Sequence, residues 1–389
     1  MMATFIQCST LLDMVDTQPQ QDIVIKIEAG KIAAIGPQAD LMTGSETETV
    51  IDLRGLTVLP GLVESHDHLG SNFGGAGWDD SIPTVAIRGA HLARTLLLRG
   101  ITTLRDMGEP AGVDFAWKQA LAQGEMVGPR LLVSGQPIIA TGQHISHWGD
   151  VADTIPELRK AIRRQIHAGA DLIKVFQTGI TSPMLTDPQA PVRYNYSKEE
   201  MKAIVECATR LGKQVAVHGH GGPGTRFAID AGVHSIEHGL FLTEDDLTVM
   251  AKKGIFLVST IGFMSPAEGS PEAERLAPMA DIYRSIRGSL QTVLAKARDL
   301  GVQVAVGTDT NHGDLVNEMG MLVQAGYSPG EALQAATQVG AAVCGLSNQI
   351  GTIEPGKQAD LIAVEGNPLE DLTALKTVKF VMKDGEIYQ

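Results

Sequence analysis

Residues 171–218 contain DLIKVF (171–176), YSKEEMKAIVECATRLG (196–212) and QVAVH (214–218): a short apolar run, a stretch of helical period, and a second apolar run. The two runs have strand length and β-branched content, whereas the stretch between them has helix length. Ser197, with Glu200 three residues later, forms a capping box at its start, and Gly212 is placed to close it. Strand, helix, strand is the unit from which parallel sheets are made.

The same unit recurs on both sides. GLVES (61–65), ITTLRD (101–106) and RLLVSG (130–135) precede it, and HSIEH (234–238), IFLVST (255–260) and VQVAVGTD (302–309) follow. Helical stretches such as PTVAIRGAHLARTLLLRG and TIPELRKAIRRQIHAG separate them, with Gly100, Gly169, Gly212 and Gly301 as C-terminal stops. Eight such units in about 250 residues predict an α/β fold, a (β/α)8 TIM barrel. Doubly wound sheets alternate too, but the chain lacks their Gly-rich dinucleotide fingerprint.

The two ends read differently. IVIKIEAGKIAAIG and TVIDLRGLTVLP near the start, and ADLIAVEG and VKFVMKDGEIY near the finish, are meander strands with turns at AG, GK and DG. One small β-sandwich built from both termini would bury their apolar faces. The expected division is 1–59 and 347–389 for the sandwich and 60–346 for the barrel.

Composition narrows the partners. The 389 residues are 43% hydrophobic and 20% charged, enough for a large core, and 43 glycines suit many short loops. A net charge of −14 argues against nucleic acid or an anionic membrane as partner. No apolar run reaches the ~18 residues of a membrane span, and the start lacks a basic, cleavable leader. Three scattered cysteines without a CxxC suit a reducing compartment, so a cytoplasmic protein is expected.

Chemistry in such barrels sits where strands end. Strand 1 ends in His66-Asp67-His68, strand 5 in His218-Gly219-His220, strand 6 in Glu237-His238 and strand 8 in Asp309. In extended backbone residues i and i+2 share a face, so His66 and His68 can hold one cation together. Imidazoles and a carboxylate are ligands that zinc takes. One HxH alone is weak; four such strand ends in one barrel point together to a metal site. Lys174, inside the apolar run DLIKVF, must be paired, deprotonated or modified, or reach past the strand end to a surface carboxylate.

In this order, LPGLVESHDHLG, TTLRDMG, ADLIKVFQTG, VAVHGHG, SIEHG, GTDT and GTIEPGKQADLIAV resemble the amidohydrolase superfamily, in its imidazolonepropionase-like branch of prolidase-type dipeptidases and carboxypeptidase-like amidases. The resemblance implies two divalent metal ions, with zinc expected and manganese or cobalt also tolerated. It places His66, His68, Lys174 and Asp309 on one metal and Lys174, His218 and His238 on the other, with Lys174 carboxylated by carbon dioxide as the bridge. It implies a metal-bridging hydroxide attacking an amide carbonyl of a dipeptide or N-acyl amino acid, with Asp309 as general base and acid. His144, in ATGQHISHWGD, would polarise that carbonyl, and His147 competes for the role. Arg193, Tyr194 and Tyr196 in PVRYNYSKEEM, and His220, are the expected substrate contacts, and TIGFMSPAEGSPEAERLAP is an expected lid. A homo-oligomer is implied as well.

Three rivals compete. A mononuclear deaminase would need a HxxE after strand 5, where this chain has HGHG, and has no use for Lys174. The same dimetal site could act on a lactone, carbamate, phenylurea or organophosphate. A catalytically dead scaffold would have lost ligands, and here all six expected positions are filled.

Overall fold

The computed structural model describes residues 3–42, 49–71, 80–143, 146–179, 191–264 and 280–389, together with 274 and 277. Four strands come first: β1 (Thr4–Leu11), β2 (Gln20–Glu28), β3 (Lys31–Pro37) and β4 (Thr49–Pro60). Next come β5 (Leu62–Asp67), β6 (Ile101–Asp106), β7 (Arg130–Leu132), β8 (Ile138–Ile139) and β9 (Asp150–Val151). The central run continues with β10 (Leu172–Phe176), β11 (Gln214–Gly221), β12 (Ser235–Phe241), β13 (Phe256–Ser259) and β14 (Val304–Val306). The chain finishes with β15 (Leu361–Val364), β16 (Val378–Lys383) and β17 (Glu386–Ile387).

The middle of the chain is an α/β arrangement of TIM-barrel type, with parallel strands and helices between them. One parallel sheet has the order β5-β6-β7 and a second the order β14-β13-β12-β11-β10-β8-β9. Backbone bonds join them in two places, beside β7 and β10 and beside β5 and β14. The Asp171 N–H donates to Val133 O at 2.8 Å, and the Asp309 N–H donates to His66 O at 2.7 Å, beside a parallel bridge between Asp67 and Asp309.

Strand alternation sorts the core. Ile173, Val175, Val215, Val217, Ile236 and Leu257 pack with the helices in the largest apolar cluster, while Leu172, Ala216 and Met107 form a small separate one. Each fully buried Ile, Leu or Val contributes about 1.5–3 kcal/mol over its exposed state. The helices Ile82–Leu98, Ile155–Ala168 and Lys198–Arg210 stand where their periodicity placed them. Ser197 accepts the Glu200 N–H and Glu200 accepts the Ser197 N–H, completing the capping box.

The third strand differs from its sequence reading. RLLVSG extends only to Leu132, because Gly135 takes a φ of 71° and turns the chain away. The short β8, three residues further on, supplies the pairing to β10 through Ile138 and Val175.

Strands from both termini share one mixed sheet, in the order β17-β16-β15-β4-β1-β2-β3. It covers its own apolar cluster, including Ile6, Leu11, Ile25, Val58, Leu361 and Phe380. The Asp384-Gly385 turn has positive φ at both residues, 52° and 79°, as the tight hairpin between β16 and β17 requires. Arg130 of β7 reaches Asp360, beside β15, at 2.6 Å, and also Asp384, tying the central strands to the terminal sheet.

Candidate metal centre

The polar strand ends converge. One ligand atom from each of His66, His68 and Asp309 lies within 4.8 Å of the others. His68 Nε2 is 3.8 Å from Asp309 Oδ1, and Lys174 Nζ is 3.4 Å from His66 Nε2. The ring of His238 is 4.9 Å from that of His66 and 4.4 Å from that of His218, which is 4.5 Å from His220. The structure therefore gathers His66, His68, Lys174, His218, His220, His238 and Asp309 at one end of the parallel strands.

The local backbone makes this gathering possible. Gly307 passes so close to His66 that a Cβ there would lie 2.5 Å from His66 Cβ and 2.6 Å from its backbone nitrogen. His238 and Asp309 take left-handed backbone, with φ of 72° and 55°. Non-glycine residues adopt that region at a cost of order 1–3 kcal/mol and cluster at functional sites.

Hydrogen bonds set which imidazole nitrogen faces inward. His66 Nδ1–H donates to Glu237 Oε2 at 2.7 Å, and His68 Nδ1–H donates to the Gly108 carbonyl at 2.8 Å, so each Nε2 keeps its lone pair. His238 Nδ1 is bonded to the Thr260 hydroxyl at 2.7 Å. His218 stacks on Phe176, and its buried Nε2 has no hydrogen-bond partner among the described residues; nor has His220 Nδ1. A buried, unsatisfied nitrogen is costly unless something binds it.

Burial keeps these imidazoles neutral. It pushes His66, His218 and His238 well below the usual histidine value, and His68 and His220 down to about 3. Burial also lowers Lys174 to about 8, against the pull of Glu237 and Asp309, and raises Asp309 to about 6, against the pull of Lys174. Neutral imidazoles, a carboxylate and an amine that sheds its proton readily form a donor set that fits divalent cations.

The remaining expected residues are placed as follows. Tyr194 is 48% exposed and packs edge-on against Phe227, and Arg193 beside it is exposed. Tyr196 is buried and its hydroxyl donates to Ala152 O at 3.1 Å. The substrate contact expected of Tyr196 is thereby corrected: the aromatic ring fills the core and its one donor is used by the backbone. His147 is exposed, next to Trp148, whose buried ring stands 6.0 Å from His68. His144 and most of the expected lid lie outside the described residues.

Several residues that support the site were not singled out from the sequence. Arg105 donates to both Glu237 oxygens, at 3.1 and 3.0 Å. Glu64 accepts from the His66 N–H, the Thr308 N–H and the Thr308 hydroxyl. His312 Nδ1 lies 2.9 Å from Asp67 and its Nε2 3.0 Å from Ser71 O, and the neighbouring carboxylate raises its pKa against burial. A signal for Arg105 was available: a charged residue inside the apolar run ITTLRD invites the question asked of Lys174.

Parallel strands of an α/β fold thus carry histidines, a lysine and an aspartate to one point, a candidate site for a divalent metal. Residues 57–388 match the amidohydrolase family. Ochratoxinase of Aspergillus niger is 30% identical over 420 residues, covering 96% of this chain and 84% of that protein. A crystal structure of a Xaa-Pro dipeptidase with bound methionine in the active site superposes with a TM-score of 0.88 at 31% identity, covering all of both chains. A prolidase complexed with N-methylphosphonate-L-proline gives 0.86 at 27% identity, covering 100% of this chain and 99% of that one. The chain belongs to the amidohydrolase family, in its prolidase-like branch, and is an enzyme that hydrolyses amide and related C–N bonds.

Proposed function

We propose that the chain is a binuclear metal-dependent hydrolase that cleaves the amide bond of a dipeptide or an N-acyl amino acid. The carrying observation is the approach of Lys174 Nζ to His66 Nε2, at 3.4 Å, within the His66, His68 and Asp309 cluster. His66, His68, Lys174 and Asp309 would hold one cation, and Lys174, His218 and His238 the other, with zinc the metal that the nitrogen and oxygen donors favour. Lys174 would serve both cations as a carbamate, an anion in place of a stranded ammonium. When bound, the cations supply Lewis acidity and a water that ionises near neutral pH. Asp309 takes a proton from the attacking water on its carboxylate oxygen and returns it to the departing amine nitrogen.

Arg193 meets a substrate carboxylate through its guanidinium, Tyr194 and His220 contact the substrate, and the role of polarising the scissile carbonyl goes to His144, with His147 as its rival. The contact of Trp148 with His68 supports that segment's nearness to the site. Supporting the closed eight-stranded barrel are the backbone bonds that join the two parallel sheets. The separate apolar cluster supports a terminal β-sandwich from 1–59 and 347–389, around a barrel of 60–346. Three buried cysteines, none in a disulfide, support a cytoplasmic setting, and no helix among the described residues is long and apolar enough to cross a membrane. The reading includes a homo-oligomer.

The test is metal content per chain for wild type and Lys174→Ala, with hydrolysis of a dipeptide and N-acyl amino acid panel. About two metals in wild type, fewer in the variant, and activity lost with them is the expected result. Two metals without activity on the panel would keep the site and move the substrate to lactones, carbamates, phenylureas or organophosphates. One metal, indifferent to Lys174→Ala, would sink the bridge and favour the deaminase reading.

A further inference from the structure

Arg105 and Glu237 are almost wholly buried, yet neither is among the proposed ligands. Arg105 stands on β6 of the three-stranded sheet and reaches β12 of the seven-stranded one. Its Nε donates to Ser65 O at 2.7 Å, Nη1 to Ser235 Oγ at 3.3 Å, and Nη2 to both oxygens of Glu237. Ser235 Oγ donates to Glu237 Oε1 in turn. The remaining direction at Glu237 Oε2 is taken by His66 Nδ1–H, at 2.7 Å. One of the donors to this carboxylate is thus the outward nitrogen of a proposed ligand.

We propose that Glu237, held in place by Arg105, is the positioning residue that fixes His66 in the tautomer presenting a bare Nε2 to the metal. The carboxylate can only accept, so the His66 proton stays on Nδ1 and the ring plane is held along the Nδ1–Oε2 line. Arg105 keeps the carboxylate from swinging away, because its guanidinium is anchored on Ser65, the residue before His66, and on Ser235, two before Glu237. A neutral ring with a free rotor would spend part of its time with Nε2 protonated or turned aside. The inference rests on His66 being a ligand, as proposed above.

Metal-stripped wild type, His66→Ala, Glu237→Gln and Glu237→Asp are titrated with zinc against a chromophoric chelator, and the melting of each metal-free protein is recorded. Glu237→Gln offers an amide that can donate as well as accept and so loosens the tautomer. Glu237→Asp keeps the charge for Arg105 but withdraws it from His66 by one methylene, so it preserves the fold if Glu237→Gln does not. Both are expected to bind zinc about 10–100-fold more weakly, with metal-free Glu237→Asp melting near wild type. Wild-type zinc affinity in Glu237→Asp, alongside weakened binding in His66→Ala, would overturn the positioning role alone. Wild-type affinity in His66→Ala would overturn the ligand assignment and the inference with it.

Discussion

Gly307→Ala is a one-carbon change that should disable the site without replacing a ligand. Gly307 does not need glycine for its backbone angle, since its φ lies outside the left-handed region. Space alone forbids a side chain: the added carbon would meet His66 Cβ at 2.5 Å, its nitrogen at 2.6 Å and its Cα at 2.9 Å. Unstrained carbon contacts lie near 3.5–4.0 Å, so the seam must open by about 1 Å. Two of the three atoms are backbone, and no rotamer change relieves them. The seam is also held by the bonds from Asp309 N–H to His66 O and from Gly307 N–H to Ser259 O, at 2.7 and 2.9 Å. The displacement therefore passes to His66 or Asp309. A misplacement of about 1 Å costs on the order of 100-fold in rate, and overpacking costs about 1–3 kcal/mol of stability. The assay is kcat/KM on the best panel substrate together with metal content per chain. Gly320→Ala, in the helix Leu315–Gln324 with nothing within 4 Å of the new carbon, is the control. It should stabilise by about 0.5–1 kcal/mol and leave kinetics alone. Full metal content and unchanged kcat/KM in Gly307→Ala would refute the claim that this close approach positions the ligands.

Two further predictions concern stability. Arg130→Ala strips the cation from Asp360, which is 4% exposed, and should cost about 3–5 kcal/mol, toward the lower end because Arg130 is itself partly exposed. Burial outweighs Arg130 and raises the Asp360 pKa, so the folded state binds this proton more tightly than the unfolded one. Stability from this group therefore falls as pH rises through the raised value, and removing Arg130 widens that window. The Arg130→Ala deficit in urea unfolding should shrink on acidifying from neutrality through the raised Asp360 value; a pH-independent deficit would contradict it. Ser197→Ala removes the acceptor for the Glu200 N–H and should cost about 1 kcal/mol, read as a lower unfolding midpoint. An unchanged midpoint would show that the capping box is not holding that helix.

The parts of this protein that depend on neighbours in the chain were legible from the chain. Strand and helix periods, the Ser197–Glu200 box and the Asp384-Gly385 hairpin are decided by residues within a few positions of each other. So was the candidate site in outline, because strand ends in a parallel α/β array meet at one side, and the histidines, Lys174 and Asp309 all stand at or near such ends. What the chain alone left open depends on partners far apart in it. His66 and Glu237 are 171 residues apart and Arg105 and Glu237 132, so their contact exists only once strand order and register bring β5, β6 and β12 together. Tyr194 and Tyr196 are equivalent as letters, and only packing sends one to the surface and the other into the core. RLLVSG looked like one continuous strand, and the turn at Gly135, with β8 taking over the pairing, follows from which edge β10 offers. Periodicity tells a residue which face it is on; only the tertiary fold supplies what stands opposite, and hydrogen bonds, tautomers and pKa values are set by what stands opposite.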